Sequence, residues 1–435
     1  MDIRKMYEEK KKTPEQLAEY VQAGDKISSI SSTGEPPVLV RAIVEHIKKN
    51  RLEGCKYSMC HMLPRGLGYE DPEMEGLLTP VSYFFGGSEC RGMCREGRAD
   101  FIPNHLSELG SIIKNYWKPR IAVMLVSPMD EHGYFSCGVS RVDGKELIEA
   151  ADIVLLEVTP NMPRVLGDSF VHISEITGFC ETDSELPDIP LAEATPEDEK
   201  IAGFIAERVP DGACLQLGIG RMPDAVGALL KSKRHLGIHT EMFCTSMYEL
   251  VKAGAVDNSM KQTHRGTSIY AFAAGTKEMY GYLNDNPAVA AYPAAYVNDP
   301  CNIAKNDNVV SINACLEADI FGQVCSESIG PVEISGSGGQ LDYVRGAKMS
   351  KGGISFLAMH STAKHGTIST IKSMLTPGAR VTVPMNDTDN IVTEYGVAEL
   401  RGKCASDRAK ALIAIAHPDQ RDRLTFEAKK IGLMI

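Results

Sequence analysis

Short apolar runs rich in β-branched residues recur along the chain, at Ile121–Val126, Ile153–Val158, Val309–Asn313 and Val381–Val383, separated by stretches of helical periodicity. Runs that are apolar on every residue suit strands buried on both faces. Their alternation with helical stretches predicts an α/β architecture of mainly parallel sheets covered by helices. Within this rhythm GDKISSISSTGEPPVLVRAIVEHI, from Gly24 to Ile47, reads as strand, Ser/Gly turn and a helix whose first turn tolerates Pro36 and Pro37. DGACLQLGIGRMPDAVGALL, from Asp211 to Leu230, reads the same way, and Gly34/Gly220 and Pro37/Pro223 are each 186 positions apart. Glu131/Glu317 and Ser140/Ser326, in two strand–turn–strand segments, repeat that offset, and FFGGSE at Phe84–Glu89 finds a counterpart in FAAGTKE at Phe272–Glu278. A period this long predicts two similar domains rather than a solenoid.

Between the copies lies ETDSELPDIPLAEATPEDEK, Glu181–Lys200, with eight acidic residues and three prolines. Such a segment buries little and is expected to be exposed. The boundaries expected are therefore an N-terminal domain over 1–185, a linker over 186–200 and a C-terminal domain over 201–435.

Composition narrows the function without choosing it. A hydrophobic fraction of 43% and a charged fraction of 24% are those of a globular protein with a sizeable core. A formal net charge of −11 argues against nucleic acid as a partner, and the Lys10–Lys12 run is expected to lie on the solvated face of an N-terminal helix. MDIRKMYEEKKK is charged where a secretory apolar core would begin, and no apolar stretch reaches bilayer length, so a cytoplasmic protein without membrane association is expected. The twelve cysteines contain no CxxC pair, and Cys55/Cys60/His61 and Cys90/Cys94 lack partners at zinc-like spacing. Buried reduced thiols and no metal are expected.

The candidate chemistry centres on HLGIHTEMFCTSMYEL, His235–Leu250, where Glu241 is expected near the carboxyl end of a short strand with a helix after Met242. Reactive groups of open α/β sheets gather at such strand ends. A carboxylate attacking a carbonyl needs backbone donors for the oxyanion, and glycine-rich turns lie at LQLGIG, Leu215–Gly220, and at ISGSGGQLDYVRGA, Ile334–Ala347. An ordinary helix cap is the alternative role for Glu241. His239, two residues earlier, shares its strand face and reads equally as a core histidine.

GIHTEM, LQLGIG and SGSGGQLDYVRGA, together with VVSINACLEADIFGQVCSESIG (Val309–Gly330), TEYGVAELRG (Thr393–Gly402) and GEPPVLV (Gly34–Val40), resemble the acetyl-CoA hydrolase/transferase family over nearly the whole chain. The resemblance implies two CoA-transferase-type α/β domains with the active site in the cleft between them, an assembly of two or more copies, and CoA handled as substrate with no other cofactor. It implies transfer of CoA between an acyl-CoA and a short-chain carboxylic acid, such as 4-hydroxybutyrate or butyrate with acetate, with an acyl-CoA hydrolase as the alternative. It makes Glu241 the nucleophile, ionised at neutral pH by its ordinary pKa of about 4.3. Gly218, Ile219, Gly220, Arg221, Asn313, Gly338, Gly339 and Lys364 are then the residues expected at CoA, with Gly336, Gln323 and His360 nearby. Ser32, Gly34, Glu35 and Pro36 would face the acyl or carboxylate substrate, or else simply cap a helix.

Overall fold

The computed structural model describes residues 2–60 and 66–434, so His61 lies outside the described residues. The chain divides into two compact units, one of Met1–Ile189 with Ile269–Val297, the other of Pro190–Ser268 with Asn298–Ile435. This differs from the expected linear boundary: Ile269–Val297 groups with the first unit.

The first unit is built on a seven-stranded parallel sheet in the order Gly178–Glu181, Ile153–Val158, Ile121–Val126, Lys26–Ser29, Cys55–Cys60, Leu78–Phe84, Asp100–Phe101. Ile121–Val126 is buried at every residue, as a strand covered on both faces must be. The helix Pro37–Asn50 buries the stripe Leu39, Val40, Ile43, Val44 and Ile47 against the core that includes Ile27, Tyr57 and Val123. Chain order grows outward in both directions from Lys26–Ser29. A topological switch point therefore lies between that strand and Ile121–Val126.

The second unit repeats the scheme. Its strands run Gly396–Glu399, Asn390–Thr393, Ile354–Ala358, Val309–Ala314, Cys214–Leu217, Gly237–Cys244, parallel except for the Gly396–Glu399 edge. Here the switch point falls between Cys214–Leu217 and Val309–Ala314. The sequence duplication is thus a duplication of topology.

Two local expectations need correction. Val381–Val383 forms no strand, only an isolated bridge from Val383 to Val324. Lys10 ends the helix Ile3–Lys10, but it is not simply on a solvated face: Nζ donates to the carbonyls of Ile173 at 2.8 Å and Ile176 at 2.6 Å, docking the helix. The acidic segment is largely exposed, as expected, apart from the buried Leu186 and Asp198, and the helix Pro196–Ala206 starts inside it. Thr195 and Asp198 form a capping box there, and Asp198 is only 3% exposed. Nine of the twelve cysteines are buried, while Cys301 and Cys404 are exposed.

Candidate active site

Glu241 is the fifth residue of the strand Gly237–Cys244, and Cys244, not Glu241, is the N-cap of the helix Thr245–Lys252. The helix-cap role is thereby removed. Cys214 pairs with Gly237 and Leu217 with Ile312, so Glu241 lies one register step beyond the end of Cys214–Leu217, level with Gly218 and Asn313. This is the carboxyl edge of the second unit's sheet.

The carboxylate is half-buried and held by two donors. Asn298 Nδ2 donates to Oε2 at 2.7 Å, and the Gly339 N–H donates as well. Gly339 is the N-cap of the ten-residue helix Gln340–Met349, so its amide and the helix dipole favour the anion. A Cβ at Gly339 would come within 2.0 Å of Glu241 Oε2 and 2.1 Å of Asn298 Nδ2. Only glycine lets the loop close on the carboxylate. Gly338 before it has a φ of +53°, which also favours glycine.

Burial nevertheless dominates. Desolvation pushes the Glu241 pKa up, the Asn298 amide and Gly339 N–H pull it back, and the balance is about 7. The expectation of an ordinary carboxylate fully ionised at neutral pH is therefore corrected: at pH 7 the group is poised between its two forms. Asn298 is itself fully buried and its Oδ1 has no partner among the described residues, an unusual cost beside the Glu241 carboxylate.

Sequence reasoning missed Asn298. It stands 57 positions from Glu241 in an AAYVNDP segment whose only signal is a polar residue closing an apolar run. His239 resolves toward the core: it is 2% exposed, its Nδ1 lies 3.3 Å from Asn306 Nδ2, and its ring meets Tyr343 edge-on.

Gly218, Ile219 and Gly220 form the turn between Cys214–Leu217 and the helix Arg221–Leu229. Gly218 fits tightly, since its Cβ would lie 3.1 Å from Asn313 Oδ1. Gly220 has a φ of +111° and caps the helix without any side-chain bond, and Ile219 is 52% exposed. The N-terminus of that helix is open. Asn313 is tied up within the sheet instead: Gln216 Nε2 donates to its Oδ1 at 3.0 Å, and its Nδ2 donates to Gln216 Oε1 and Ser311 Oγ. Gln323 likewise closes a turn onto Asp319.

Lys364 lies exposed, with φ of +48°, in the turn between Thr362–Ala363 and Ile368–Ser369. His360, at the end of Ile354–Ala358, is the residue connected to the open turn. Its Nε2 lies 2.8 Å from Asp198 Oδ1, and Arg221 Nε is 4.0 Å from Asp198 Oδ2. Of the residues expected at CoA, the structure thus brings Gly339 to Glu241, groups Gly218–Arg221 with His360, and leaves Asn313 and Lys364 in other roles or positions.

In the first unit, Ser32, Gly34 and Glu35 are buried, and Glu35 Oε1 accepts from Tyr57 OH at 2.7 Å. Pro36 is the N-cap of Pro37–Asn50 and offers no side-chain bond. Among the described residues no group of His, Cys, Asp or Glu is disposed to hold a metal, and no helix is long and apolar enough to cross a membrane.

Fold and site together define a duplicated α/β protein with a tuned carboxylate at the carboxyl edge of one sheet, facing glycine-borne amides. The chain belongs to the acetyl-CoA hydrolase/transferase family: that family's N-terminal domain matches residues 1–205 and its C-terminal domain residues 275–428. It is 44% identical to the succinyl-CoA:cyclohexane-1-carboxylate CoA transferase of Geobacter metallireducens, over 98% of this chain and 97% of that one. It is 43% identical to the 4-hydroxybutyrate coenzyme A transferase of Clostridium kluyveri, over 99% and 100%. The crystal structure of RipA from Yersinia pestis superimposes with a TM-score of 0.94 at 38% identity, covering 100% of both chains.

Proposed function

We propose that the protein is an acyl-CoA:carboxylate CoA-transferase for short-chain acids and that Glu241 is its nucleophile. The observation that carries this reading is the Glu241 carboxylate held by the Asn298 amide and the Gly339 N–H at the sheet edge, in a chain whose relatives are named CoA transferases. The carboxylate attacks the thioester carbonyl, expelling CoA thiolate and leaving an acyl-glutamyl anhydride. The thiolate then attacks the glutamyl carbonyl, releasing the acid and forming a glutamyl-CoA thioester. An acceptor carboxylate runs the same steps in reverse, so that no proton is consumed and Glu241 is regenerated.

A pKa of about 7 suits this role in both directions. The carboxylate is ionised often enough to attack, yet basic enough to be a better nucleophile than an exposed one. The Gly338–Gly339 amides at a helix N-terminus supply the donors that an oxyanion needs. CoA is the substrate, approaching through Gly218–Arg221, and 4-hydroxybutyrate, butyrate and acetate are the acids to try first.

The test is steady-state transfer from butyryl-CoA to acetate, varied against each other, with a parallel run lacking any carboxylate. Parallel double-reciprocal lines, and without acceptor a release of butyrate that stops after about one equivalent per chain while the CoA stays bound to the protein, are the outcome expected of double displacement. Continued CoA release without acceptor makes the protein a hydrolase on this scaffold.

A further inference from the structure

The acidic segment around residue 198 contributes a buried carboxylate to the open end of the second unit's sheet, and it is not spent on fold alone. Asp198 comes from the first turn of the helix Pro196–Ala206, where the Thr195 N–H and hydroxyl both donate to Oδ2. Its Oδ1 is taken by His360 Nε2 at 2.8 Å, and Arg221 Nε stands 4.0 Å from Oδ2. Burial alone would raise this carboxyl, but the Thr195 and His360 bonds outweigh it and hold the pKa below the ordinary value. The acid is 4% exposed at its side chain, whereas His360 and Arg221 are 35% and 57% exposed. His360 and Arg221 therefore face outward and Asp198 is hidden behind them. The backbone of His360 is fixed as well, because Thr370 Oγ1 donates to its carbonyl at 2.6 Å. Arg221 is the first residue of the helix whose N-terminus at Gly220 is uncapped, and Asp198 links it to His360.

We propose that Asp198 is a positioning residue for acyl-CoA binding: it holds His360 and Arg221 as an oriented pair of donors that receives the phosphates of the CoA nucleotide at the open Gly218–Gly220 turn. This rests on the CoA-transferase reading and extends it to one end of the substrate. A histidine bonded to a buried carboxylate is fixed in ring orientation, as in carboxylate–histidine pairs generally. The pantetheine arm and the acyl group would run from there toward Glu241, which is level with Gly218 in the sheet.

The experiment compares Asp198→Asn with the unaltered protein on two donors: butyryl-CoA, and butyryl-pantetheine, which carries the same thioester without the nucleotide phosphates. The expected result is a KM for butyryl-CoA raised about tenfold, with kcat and the KM for butyryl-pantetheine changed less than about twofold. His360→Gln is expected to raise the same KM alone, and the double variant to be no worse than the worse single one. Equal losses on the two donors, or additive effects in the double variant, overturn the proposal and leave Asp198 as a helix cap. Should Asp198→Asn fold poorly, His360→Gln on the two donors decides the matter: a KM unchanged for butyryl-CoA refutes it. Failure of the unaltered protein to turn over either donor with any acid refutes the CoA-transferase reading instead, so the two failures are distinguishable.

Discussion

The two units carry the same switch point and treat it oppositely. In the first, the N-terminus of the helix Pro37–Asn50 is filled from within: Val38 and Leu39 N–H groups donate to Glu157 Oε2 at 2.9 and 2.8 Å. Glu157 is fully buried, and its Oε1 accepts from the Thr182 and Ser184 hydroxyls. In the second, the helix Arg221–Leu229 starts at a glycine with no side-chain cap, beside an exposed isoleucine. The register shows the difference: Leu125 pairs with Glu157 in one sheet, and at the 186-residue offset Ser311 pairs with Ser355 in the other. One copy fills the position with its own carboxylate, and the other leaves it open at the place where the proposed reading puts the substrate.

That contrast predicts that substitutions in the second unit cut turnover and those in the first cut stability. The largest effect is expected at the nucleophile: Glu241→Gln should lower kcat by about 10³-fold or more, as loss of a covalent catalyst does, measured by acyl transfer from butyryl-CoA. Next comes Gly339→Ala, whose added methyl collides with the carboxylate and with Asn298; a fall in kcat of about 10²-fold is expected, while far-ultraviolet circular dichroism stays unchanged.

The pH profile follows in size. Attack needs the ionised form and the free-enzyme pKa is about 7, so log kcat/KM should fall with unit slope below that pH, not below the ordinary carboxylate value. The sign for stability is the opposite. A folded pKa raised above the unfolded one favours folding at low pH, and that contribution is lost as pH climbs through about 7. Glu241→Gln should therefore stabilise the fold by about 1–3 kcal/mol at pH 8 and by progressively less toward pH 5, as read by denaturant titration.

The smallest change in activity and the sharpest test of the filled position is Glu157→Gln. Replacing a buried, four-bonded carboxylate should cost about 2 kcal/mol of stability with KM for acyl-CoA unaltered. A raised KM there would erase the distinction between the two units.

Much of this was legible beforehand because it depended on local pattern. Ile121–Val126 and Ile153–Val158 are strands at the predicted residues, since an unbroken β-branched run has few alternatives. The duplication was readable because glycine and proline are forced by backbone geometry at turns, so Gly34/Gly220 and Pro37/Pro223 kept their spacing. Asn298, Glu157 and Asp198 were not readable in these roles, because each acts on a partner more than 50 positions away. Asp198 also sat in a composition that favours solvent. Its one local signal was the Thr195-Pro-Glu-Asp198 spacing of a capping box, which marks a helix start even in an acidic stretch. The shifted pKa of Glu241 escaped for a different reason: burial is a property of the packed sheet edge and has no counterpart in the GIHTEM pattern.

The most direct measurement is the intact mass of the protein after incubation with butyryl-CoA alone, before and after sodium borohydride, in parallel with Glu241→Ala. The account predicts a covalent CoA adduct that borohydride converts to a species lighter than the starting protein by one oxygen and heavier by two hydrogens, as a glutamyl thioester reduced to an alcohol must be. That change should map to Glu241 and be absent from the variant. An unmodified protein that still turns over butyryl-CoA with acetate, or an adduct that survives in Glu241→Ala, would contradict it.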